Sequence, residues 1–324
     1  MGCPNDCSFC NQKKITGVGT SVTPIQVKGR IDRHLQTLAG QNAEIEVGFF
    51  GGSFTAIPIE EQTALLRVAY PYLEHGKITG IRLSTRPDCI NEEILQNLKR
   101  FGVTMIELGV QSMDDEVLKK NFRGHTAEDA RRASELIHAY GFALGHQVML
   151  GLPGDTAEKA MQSVEELLAY KPENARIYPT LVIRDTLLAQ WYQEGRYQPL
   201  GLEEAVEQSK QVLKKFRSAG TNVIRIGLLG SDNINPQKDV LAGPFHPAFG
   251  ELVESELVYE KLTEQLLHTE GRNLQITVHP RFVSTLIGCR KKNLKRLSEK
   301  FMLRNIQIIQ EERMKIGEWR ILCI

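Results

Sequence analysis

The chain has no long apolar run and almost no net charge. None of its apolar stretches approaches the roughly 20 residues of a membrane-spanning helix, so no membrane partner is predicted. Forty Lys and Arg residues face 39 Asp and Glu residues, a formal net charge of +1. No global field therefore draws the protein to nucleic acid or to an anionic membrane. A charged-then-apolar presequence is also lacking, which favours a cytoplasmic location.

Cysteine is sparse, with six residues in 324, yet three lie within the first ten positions. Cys3, Cys7 and Cys10 have the spacing C-x3-C-x2-C. A disulfide framework is typical of small secreted domains and does not suit a chain of this length without a secretory signal. A structural zinc site usually has a second ligand pair, and no C-x-x-C or H-x3–5-H follows. The other cysteines lie far apart and are interpreted as packing residues: Cys89, Cys289 and Cys323.

The spacing of the three cysteines suits an iron–sulfur cluster. One loop of this kind can bind three irons of a cube-shaped [4Fe–4S] cluster and leave the fourth iron without a protein ligand. An iron with an open position can bind a small molecule and transfer an electron to it. The spacing therefore favours catalysis over a structural role, and chance clustering of thiols is the remaining alternative.

Apolar strands and amphipathic helices alternate from residue 44. The predicted strands are Glu44–Phe50, Gly80–Ser84, Thr104–Val110, Leu144–Leu150 and Ala175–Ile183. The predicted helices are Glu60–Leu73, Asn91–Phe101, Asp114–Lys120, Thr126–Tyr140 and Thr156–Leu168. Nearly all-apolar strands that alternate with helices predict an α/β fold with a parallel sheet covered by helices. In such folds the ligand site lies at the carboxyl ends of the strands.

Glycine and polar residues follow the predicted strands. The junctions read Phe-Phe-Gly-Gly-Ser-Phe-Thr (49–55), Ser-Thr-Arg-Pro-Asp (84–88), Gly-Val-Gln-Ser (109–112) and Gln-Val-Met-Leu-Gly-Leu-Pro-Gly (147–154). Gly51 and Gly52 allow the backbone to approach a ligand closely. A tight turn is the alternative at any one glycine pair, but four such junctions favour a shared ligand site.

Three regions are predicted: a barrel at 1–200, a covering helical extension at 201–272 and a small α+β domain at 273–324. A polar connector at Arg184–Leu200 precedes the second region, which contains a helix, a short strand and a helix: Leu202–Ala219, Asn222–Ile226 and Glu251–Leu267. The third region alternates between strand and helix patterns: Leu274–His279, Arg281–Ile287, Lys292–Phe301, Asn305–Ile309 and Glu318–Cys323.

Positive charge is concentrated near the carboxyl end. Residues 290–304 contain seven Lys or Arg residues and one acid, Glu299. A solvated basic helix face is one interpretation, and a phosphate-binding surface at a helix N-terminus is the other. The candidate RNA contacts are Gly288, Arg290, Lys291, Lys292, Lys295 and Arg296.

In these motifs and their order, the chain resembles the radical S-adenosylmethionine (radical SAM) superfamily, and within it the radical domain of Elongator catalytic subunits, over roughly residues 1–230. Further shared segments are Asn-Phe-Arg-Gly-His-Thr (121–126) and Arg-Ile-Tyr-Pro-Thr-Leu-Val-Ile-Arg (176–184). The resemblance implies a partial (βα)6 TIM-like barrel with a [4Fe–4S] cluster at the strand mouths. It implies S-adenosylmethionine (SAM) as cosubstrate, cleaved to methionine and a 5′-deoxyadenosyl radical. It also implies an electron donor of the flavodoxin or ferredoxin type.

The resemblance further implies roles for individual residues. Cys3, Cys7 and Cys10 would bind the cluster. The implied SAM contacts are Phe9 at the adenine, Gly51, Gly52 and Ser53 at the methionine amino group, Gln111 and Arg123 at ribose and carboxylate, and Gln147 near the adenosine sugar. Ser84 stands where the family usually has an acid, and it is able to hydrogen-bond but carries no charge.

The tail differs from that of Elongator subunits, which carry an acetyltransferase domain, so no acetyl-CoA chemistry is predicted. It resembles a KH-type RNA-binding module in its βααββ order and in the turn after Ile287 and Gly288. KH loops have a second glycine that lets the RNA backbone approach, and Lys291 stands there.

Three functions remain open. The leading hypothesis is a radical SAM enzyme acting on RNA, such as a tRNA or rRNA base, with the tail docking the RNA. The first alternative is a small-molecule substrate such as a porphyrinogen, because Gly-Val-Gln-Ser and Gly-Leu-Pro-Gly also resemble oxygen-independent coproporphyrinogen oxidases. The second alternative is a non-catalytic RNA-binding protein with a vestigial barrel. Four histidines are interpreted as structural rather than catalytic: His125, His146, His246 and His279.

The family's first barrel strand normally precedes the cysteine loop, whereas here only Met1 and Gly2 precede Cys3. We expect cluster and SAM binding to be weaker in this form than in a version extended by one strand. Iron content and SAM cleavage, measured on both forms, check this expectation. Equal values would contradict it.

Overall fold

The computed structural model describes residues 3, 5–11, 22–41, 43–228, 230, 235, 238–267 and 271–323. The chain divides into two compact units, residues 1–205 with 212–245 and residues 206–211 with 246–324. The three-region boundaries expected from the sequence stay a prediction. Among the described residues, no helix combines the length and apolar character needed to cross a membrane.

A six-stranded parallel sheet forms the first unit. Its strands are β1 (Glu46–Phe49), β2 (Gly80–Thr85), β3 (Val103–Gln111), β4 (Ala143–Leu150), β5 (Asn174–Pro179) and β7 (Asn222–Ile226), with β6 (Val182–Ile183) and β8 (Val240–Ala242) as a separate antiparallel pair. Strands of the large sheet lie in the order β1-β2-β3-β4-β5-β7. The helices are α1 (Pro24–Thr37), α2 (Ile59–Glu74), α3 (Glu92–Arg100), α4 (Asp115–Lys120), α5 (Ala127–Ala139), α6 (Ala157–Leu168), α7 (Leu187–Gln193) and α8 (Leu202–Ser218). This curled sheet with its helices confirms the predicted partial barrel.

The apolar runs of the central strands form the core. Ile81, Leu83, Ile106, Leu108 and Leu144 are fully buried, and each such side chain stabilises the fold by about 1.5–3 kcal/mol. Polar residues before the helices accept hydrogen bonds from the first turn, at Asn91, Asp114, Thr126 and Thr156. These caps start the helices where the strand–helix junctions need them.

One predicted strand was wrong in part. The run Ala175–Ile183 is not continuous, because β5 ends at Pro179 and β6 begins at Val182. The Thr180 amide donates to the Leu150 carbonyl, and β6 then pairs with β8. The apolar run therefore serves two different sheets, which hydrophobicity alone does not distinguish.

The predicted polar connector at Arg184–Leu200 was also wrong in part, because it contains helix α7. Thr186 caps this helix by accepting from the Ala189 amide, and Leu188 and Ala189 are buried. Helix α1 was not predicted, although Thr23 and Gln26 form a capping box at its start.

The second unit is a three-stranded sheet with helices. Its elements are α9 (Phe249–Leu266), β9 (Asn273–Val278), α10 (Val283–Ile287), α11 (Lys292–Phe301), β10 (Asn305–Gln310) and β11 (Trp319–Cys323). Strand β9 is central, parallel to β10 and antiparallel to β11. Leu262, Ile276, Leu286 and Leu297 form its core. The βααββ order is as predicted, and the KH resemblance itself stays a prediction.

We expect His146 to make the stability of the first unit pH-dependent. The imidazole is fully buried and bonds Ser134, and burial lowers its pKa from 6.5 to about 3. Because the unfolded chain takes up the proton first, stability is complete above pH 6.5 and is lost as pH falls towards 3. His146→Gln should reduce the loss of unfolding free energy between pH 7 and pH 5 by roughly 2 kcal/mol.

Urea denaturation at both pH values measures this difference. His34→Gln, at an exposed position of α1, is the control variant. An unchanged pH dependence in His146→Gln would show that the expectation is wrong.

Candidate functional site

A cavity of about 320 Å³ opens at the carboxyl ends of the strands of the large sheet. Its walls come from the cysteine loop, defined as residues 3–11, and from the junctions after the central strands. All of the residues predicted to bind the cluster or SAM line it: Cys3, Cys7, Phe9, Cys10, Gly51, Gly52, Ser53, Ser84, Gln111, Arg123 and Gln147. The structure thus brings together residues of the amino-terminal loop and of four separate strand ends. Their individual roles stay predictions.

Neighbouring segments hold the cysteine loop in place. The Ser8 amide donates to the Asn121 carbonyl, and the Ser8 hydroxyl donates to the Asn121 side chain at 2.7 Å. The Asn5 amide group donates to the Arg123 carbonyl, and the Leu188 amide donates to the Ser8 carbonyl. A loop without helix or strand thereby acquires a defined path across the cavity wall.

Arg123 lies directly beside the cysteine sulfurs. It is 6% exposed, one terminal nitrogen donates to Cys7 Sγ at 3.3 Å, and the other donates to the Gly109 carbonyl. The guanidinium lies 5.9 Å from the Phe9 ring centroid. Its Nε is buried and has no partner among the described residues. Two of its three nitrogens are thus already engaged by protein, which leaves Nε for a ligand.

A second buried arginine lies next to Arg123. Arg86 is 2% exposed, pairs with Asp88 at 2.9 and 3.0 Å, and donates to the Arg123 carbonyl. Because Asp88 neutralises Arg86, the Arg123 guanidinium gives this wall of the cavity its positive potential, which favours an anionic ligand.

Cys10 is held as a thiol when no metal is bound. Burial raises the pKa of Cys10 from 9.0 to about 12, and the neighbouring Cys7 and Cys3 raise it as well. Metal binding must therefore displace a proton from Cys10. Among the described residues, no three His, Cys, Asp or Glu side chains converge on one ion. A cluster that binds each sulfur through a different iron does not need such convergence.

Gln111 projects into the cavity from strained backbone. Its φ is 71°, a left-handed conformation that is unusual for a side chain of this type, and the β3–β4 register shifts between Leu108 and Gln111. A Cβ at Gly109 would lie 3.1 Å from Gln111 Nε2 and 3.6 Å from Arg123. Gln111 Oε1 is buried without a partner among the described residues, so it offers an acceptor to a ligand.

The glycine junction after β1 accepts a hydrogen bond from one hydroxyl group. Gly51 has φ 100°, which favours glycine. The Ser84 hydroxyl donates to the Gly52 carbonyl at 3.5 Å, and Ser53 is 4% exposed. The side chain of Ser84 therefore supports the loop backbone in this structure.

Glu107 organises the floor of the cavity and was not predicted from the sequence. It is 1% exposed and accepts from Arg82 at 2.7 Å and from two nitrogens of Arg176. Gln147, which lines the cavity, also donates to it, at 3.1 Å. The sequence did contain a signal, because a charge in a buried strand needs a partner.

The four histidines all make hydrogen bonds typical of structural residues. His125 is buried and contacts the Val110 carbonyl, and His146 contacts Ser134. His246 and His279 accept backbone N–H bonds two residues ahead. These contacts support the structural interpretation.

The basic turn of the second unit has unusual backbone geometry. Gly288, Arg290 and Lys291 have φ values of 76°, 52° and 61°. Lys291 thus adopts the conformation that a glycine would take most easily. Arg296 forms a two-pronged ion pair with Glu256 at 2.7 and 2.9 Å and stacks on Tyr259, so this predicted RNA contact is already engaged within the unit.

We expect Glu107→Gln to lower the unfolding free energy by roughly 3–5 kcal/mol, because the half-buried Arg176 loses its carboxylate and Arg82 keeps only Glu46. Urea denaturation measures the loss. The control is Glu166→Gln, which breaks the half-exposed pair with Arg131 and should cost less than about 1 kcal/mol. Equal losses in the two variants would contradict the assigned importance of Glu107.

Known proteins share both the sequence and the fold. A tRNA uridine(34) acetyltransferase of Dehalococcoides mccartyi is 31% identical over 187 residues, covering 52% of this chain and 41% of that protein. Human Elongator complex protein 3 is 29% identical over 209 residues, covering 58% and 38%. The chain therefore spans about two fifths of the length of these relatives. The structure of Methanocaldococcus infernus Elp3 matches with a TM-score of 0.61 at 27% identity, covering 76% of this chain and 60% of that one.

Family profiles match consecutive parts of the chain. The profile of the Radical SAM superfamily covers residues 1–167, and that of the Radical SAM C-terminal domain covers residues 172–259. The first match includes the cysteine loop and the four junctions that line the cavity, and these segments contain all the residues predicted to bind the cluster or SAM. The chain is therefore an enzyme that belongs to the radical SAM superfamily.

Proposed function

We propose that this enzyme uses a [4Fe–4S] cluster and SAM to start a radical modification of RNA, with a tRNA base as the preferred substrate. The observation that carries the chemistry is one cavity lined by three cysteines, the glycine junction and two polar atoms that have no partner among the described residues. The preference for tRNA is supported by relatives named for tRNA uridine modification. A basic turn in the second unit supports an RNA substrate.

The residues of the cavity fit both cofactors. Cys3, Cys7 and Cys10 would hold three irons of the cluster, and Gly51–Ser53 would offer backbone groups to the methionine amino group. When bound, the cluster and SAM supply one electron and a carbon-centred radical that removes hydrogen from substrate. Arg123 Nε is a donor suited to a carboxylate, and Gln111 Oε1 is an acceptor suited to a ribose hydroxyl.

Protein groups around the cofactors would orient them and exclude water. Arg123 donates a hydrogen bond to Cys7 Sγ, and hydrogen bonds to cluster sulfurs would contribute to the reduction potential of a bound cluster. Phe50 lies under the Arg176 guanidinium at 4.9 Å, and Glu107 fixes that arginine. The apolar side chains Leu181 and Ile183 complete the wall. A dry cavity limits the side reactions of a radical.

The two alternatives have less support. Escherichia coli coproporphyrinogen III oxidase matches with a TM-score of 0.50 at 15% identity, which supports a common fold and no common substrate. The non-catalytic alternative does not agree with membership of an enzyme superfamily.

Two measurements test the proposed function. Anaerobic reaction of the reconstituted protein with SAM and a reductant should yield 5′-deoxyadenosine, and Cys7→Ala should yield none. Nucleoside mass spectrometry of RNA from cells with and without the gene should show one modified tRNA nucleoside that depends on it. A changed porphyrin intermediate with unchanged nucleosides would favour the small-molecule alternative instead.

We expect Lys291→Glu/Lys295→Glu to weaken tRNA binding by about tenfold or more and to lower the slope of log affinity against log salt by about 2, because two phosphate contacts are lost. Both lysines are exposed on the turn and on α11. Arg313→Glu/Lys315→Glu makes the same charge change between β10 and β11 and serves as the control. Filter binding at several salt concentrations measures both effects. Equal weakening in the two double variants would contradict docking at the turn.

A further inference from the structure

Phe50, directly after β1, presents a half-exposed aromatic ring to the cavity. It is 46% exposed, and the other two rings that line the cavity, Phe9 and Tyr178, are less exposed. The preceding residue, Phe49, instead packs against the buried Phe54, with ring centroids 5.0 Å apart. Successive residues of a strand point to opposite faces of the sheet. One of the two adjacent phenylalanines is therefore a packing residue, and the other belongs to the cavity.

Two contacts hold the Phe50 ring in its position. The Arg176 guanidinium lies 4.9 Å from the ring centroid, a cation–π contact, and two nitrogens of this arginine bond the buried Glu107. A Cβ at Gly48 would lie 2.4 Å from Phe50 Cε2, so the ring occupies space that is free only because residue 48 is glycine. The ring is thus fixed before any ligand binds, which lowers the cost of binding.

Nearly half of the Phe50 side chain stays open to a ligand. None of the ring pairs found among the described residues includes Phe50. Neither Phe50 nor Arg176 is among the residues predicted to contact SAM, although both line the cavity. A fixed, flat and apolar ring surface is suited to a planar ring of the ligand. This part of the cavity wall is therefore available to a substrate.

A polar group lies close to the ring surface. The Tyr178 hydroxyl lines the same cavity and lies beside the same Arg176 guanidinium. Burial raises the pKa of Tyr178 above its usual 10.0, and Arg176 acts in the opposite direction. The phenol therefore stays protonated near neutral pH and is able to donate a hydrogen bond to a ligand or to accept one. A flat apolar surface with a hydroxyl group nearby matches the face and the polar edge of a nucleobase.

We propose that Phe50 is the stacking surface for the substrate base, which leaves the base stack of the RNA and enters the cavity. This inference rests on the proposed function and deepens it. An enzyme that modifies a base must take it out of the stack, and aromatic side chains replace the stacking that is lost. Gly51 directly follows Phe50 and is predicted to contact the methionine part of SAM. A base on the ring would therefore lie beside the bound cosubstrate.

Anaerobic assays of the reconstituted full chain test this role, with total tRNA from cells that lack the gene as the substrate. Phe50→Leu keeps an apolar side chain and removes the ring. It should lower kcat/KM for the modified nucleoside about tenfold, because one stacking contact is lost, and it should leave 5′-deoxyadenosine formation without RNA unchanged. Phe50→Tyr keeps the ring and should retain the original kcat/KM. Mass spectrometry measures both products.

A second variant moves the ring without removing it. Gly48→Ala adds the Cβ that would meet Phe50 Cε2, so the ring must leave its position and kcat/KM for tRNA should fall by a similar factor. Gly48→Ala added to Phe50→Leu should cost little more, because the ring is already absent and the two changes act through one contact. The control is Phe122→Leu, at a ring that is 52% exposed and does not line the cavity. It should change neither rate.

Unchanged kcat/KM for tRNA in Phe50→Leu would overturn the inference, as would fully additive losses in the double variant. Equal slowing of 5′-deoxyadenosine formation without RNA would overturn it too, because the ring would then serve SAM and not the base. All variants are compared at equal iron content. If the unaltered protein forms no 5′-deoxyadenosine or modifies no tRNA nucleoside, that result contradicts the proposed function itself.

Discussion

The site depends on positive charge buried beside three sulfurs. Arg86 and Arg123 are 2% and 6% exposed, and a guanidinium in such surroundings is costly unless an anion opposes it. Asp88 forms an ion pair with Arg86. Arg123 has only a carbonyl and the Cys7 sulfur as partners in the described part of the chain, apart from its contact with the Phe9 ring. Three thiolates around a [4Fe–4S]²⁺ core carry a net negative charge, which supplies the missing anion.

Arg123 also connects the segments of the site to one another through hydrogen bonds. Its carbonyl accepts hydrogen bonds from Asn5 and Arg86, and its side chain reaches Gly109 at the end of β3. The cysteine loop is thus connected to the rigid sheet through a few polar contacts. At the floor of the cavity, Glu107 accepts hydrogen bonds from side chains of β2, β4 and β5 and so connects these three strands.

Much of the fold and of the cavity was predictable, because both follow from local patterns. Parallel strands bring their carboxyl ends to one edge, so junctions at 51–53, 84, 111 and 147 had to meet once the strand–helix alternation was recognised. That these junctions lie beside Cys3, Cys7 and Cys10 was predicted from the family resemblance.

The break after Pro179 and helix α7 were missed, because an apolar run does not reveal which sheet it joins and a short helix has few periodic positions. The Glu107 network depends on which strands are neighbours. Likewise, the position of Arg123 beside Cys7 depends on tertiary contacts that no spacing encodes.

The most direct test of the account is electron paramagnetic resonance of the reconstituted, dithionite-reduced protein with and without SAM. An open iron beside Arg123 predicts the signal of a reduced [4Fe–4S] cluster that changes when SAM is added, and electron–nuclear double resonance with isotopically labelled SAM should show direct coupling to the cluster. A signal that SAM leaves unchanged, or a cluster that persists in Cys7→Ala, would contradict the central claim that three cysteines leave one iron free.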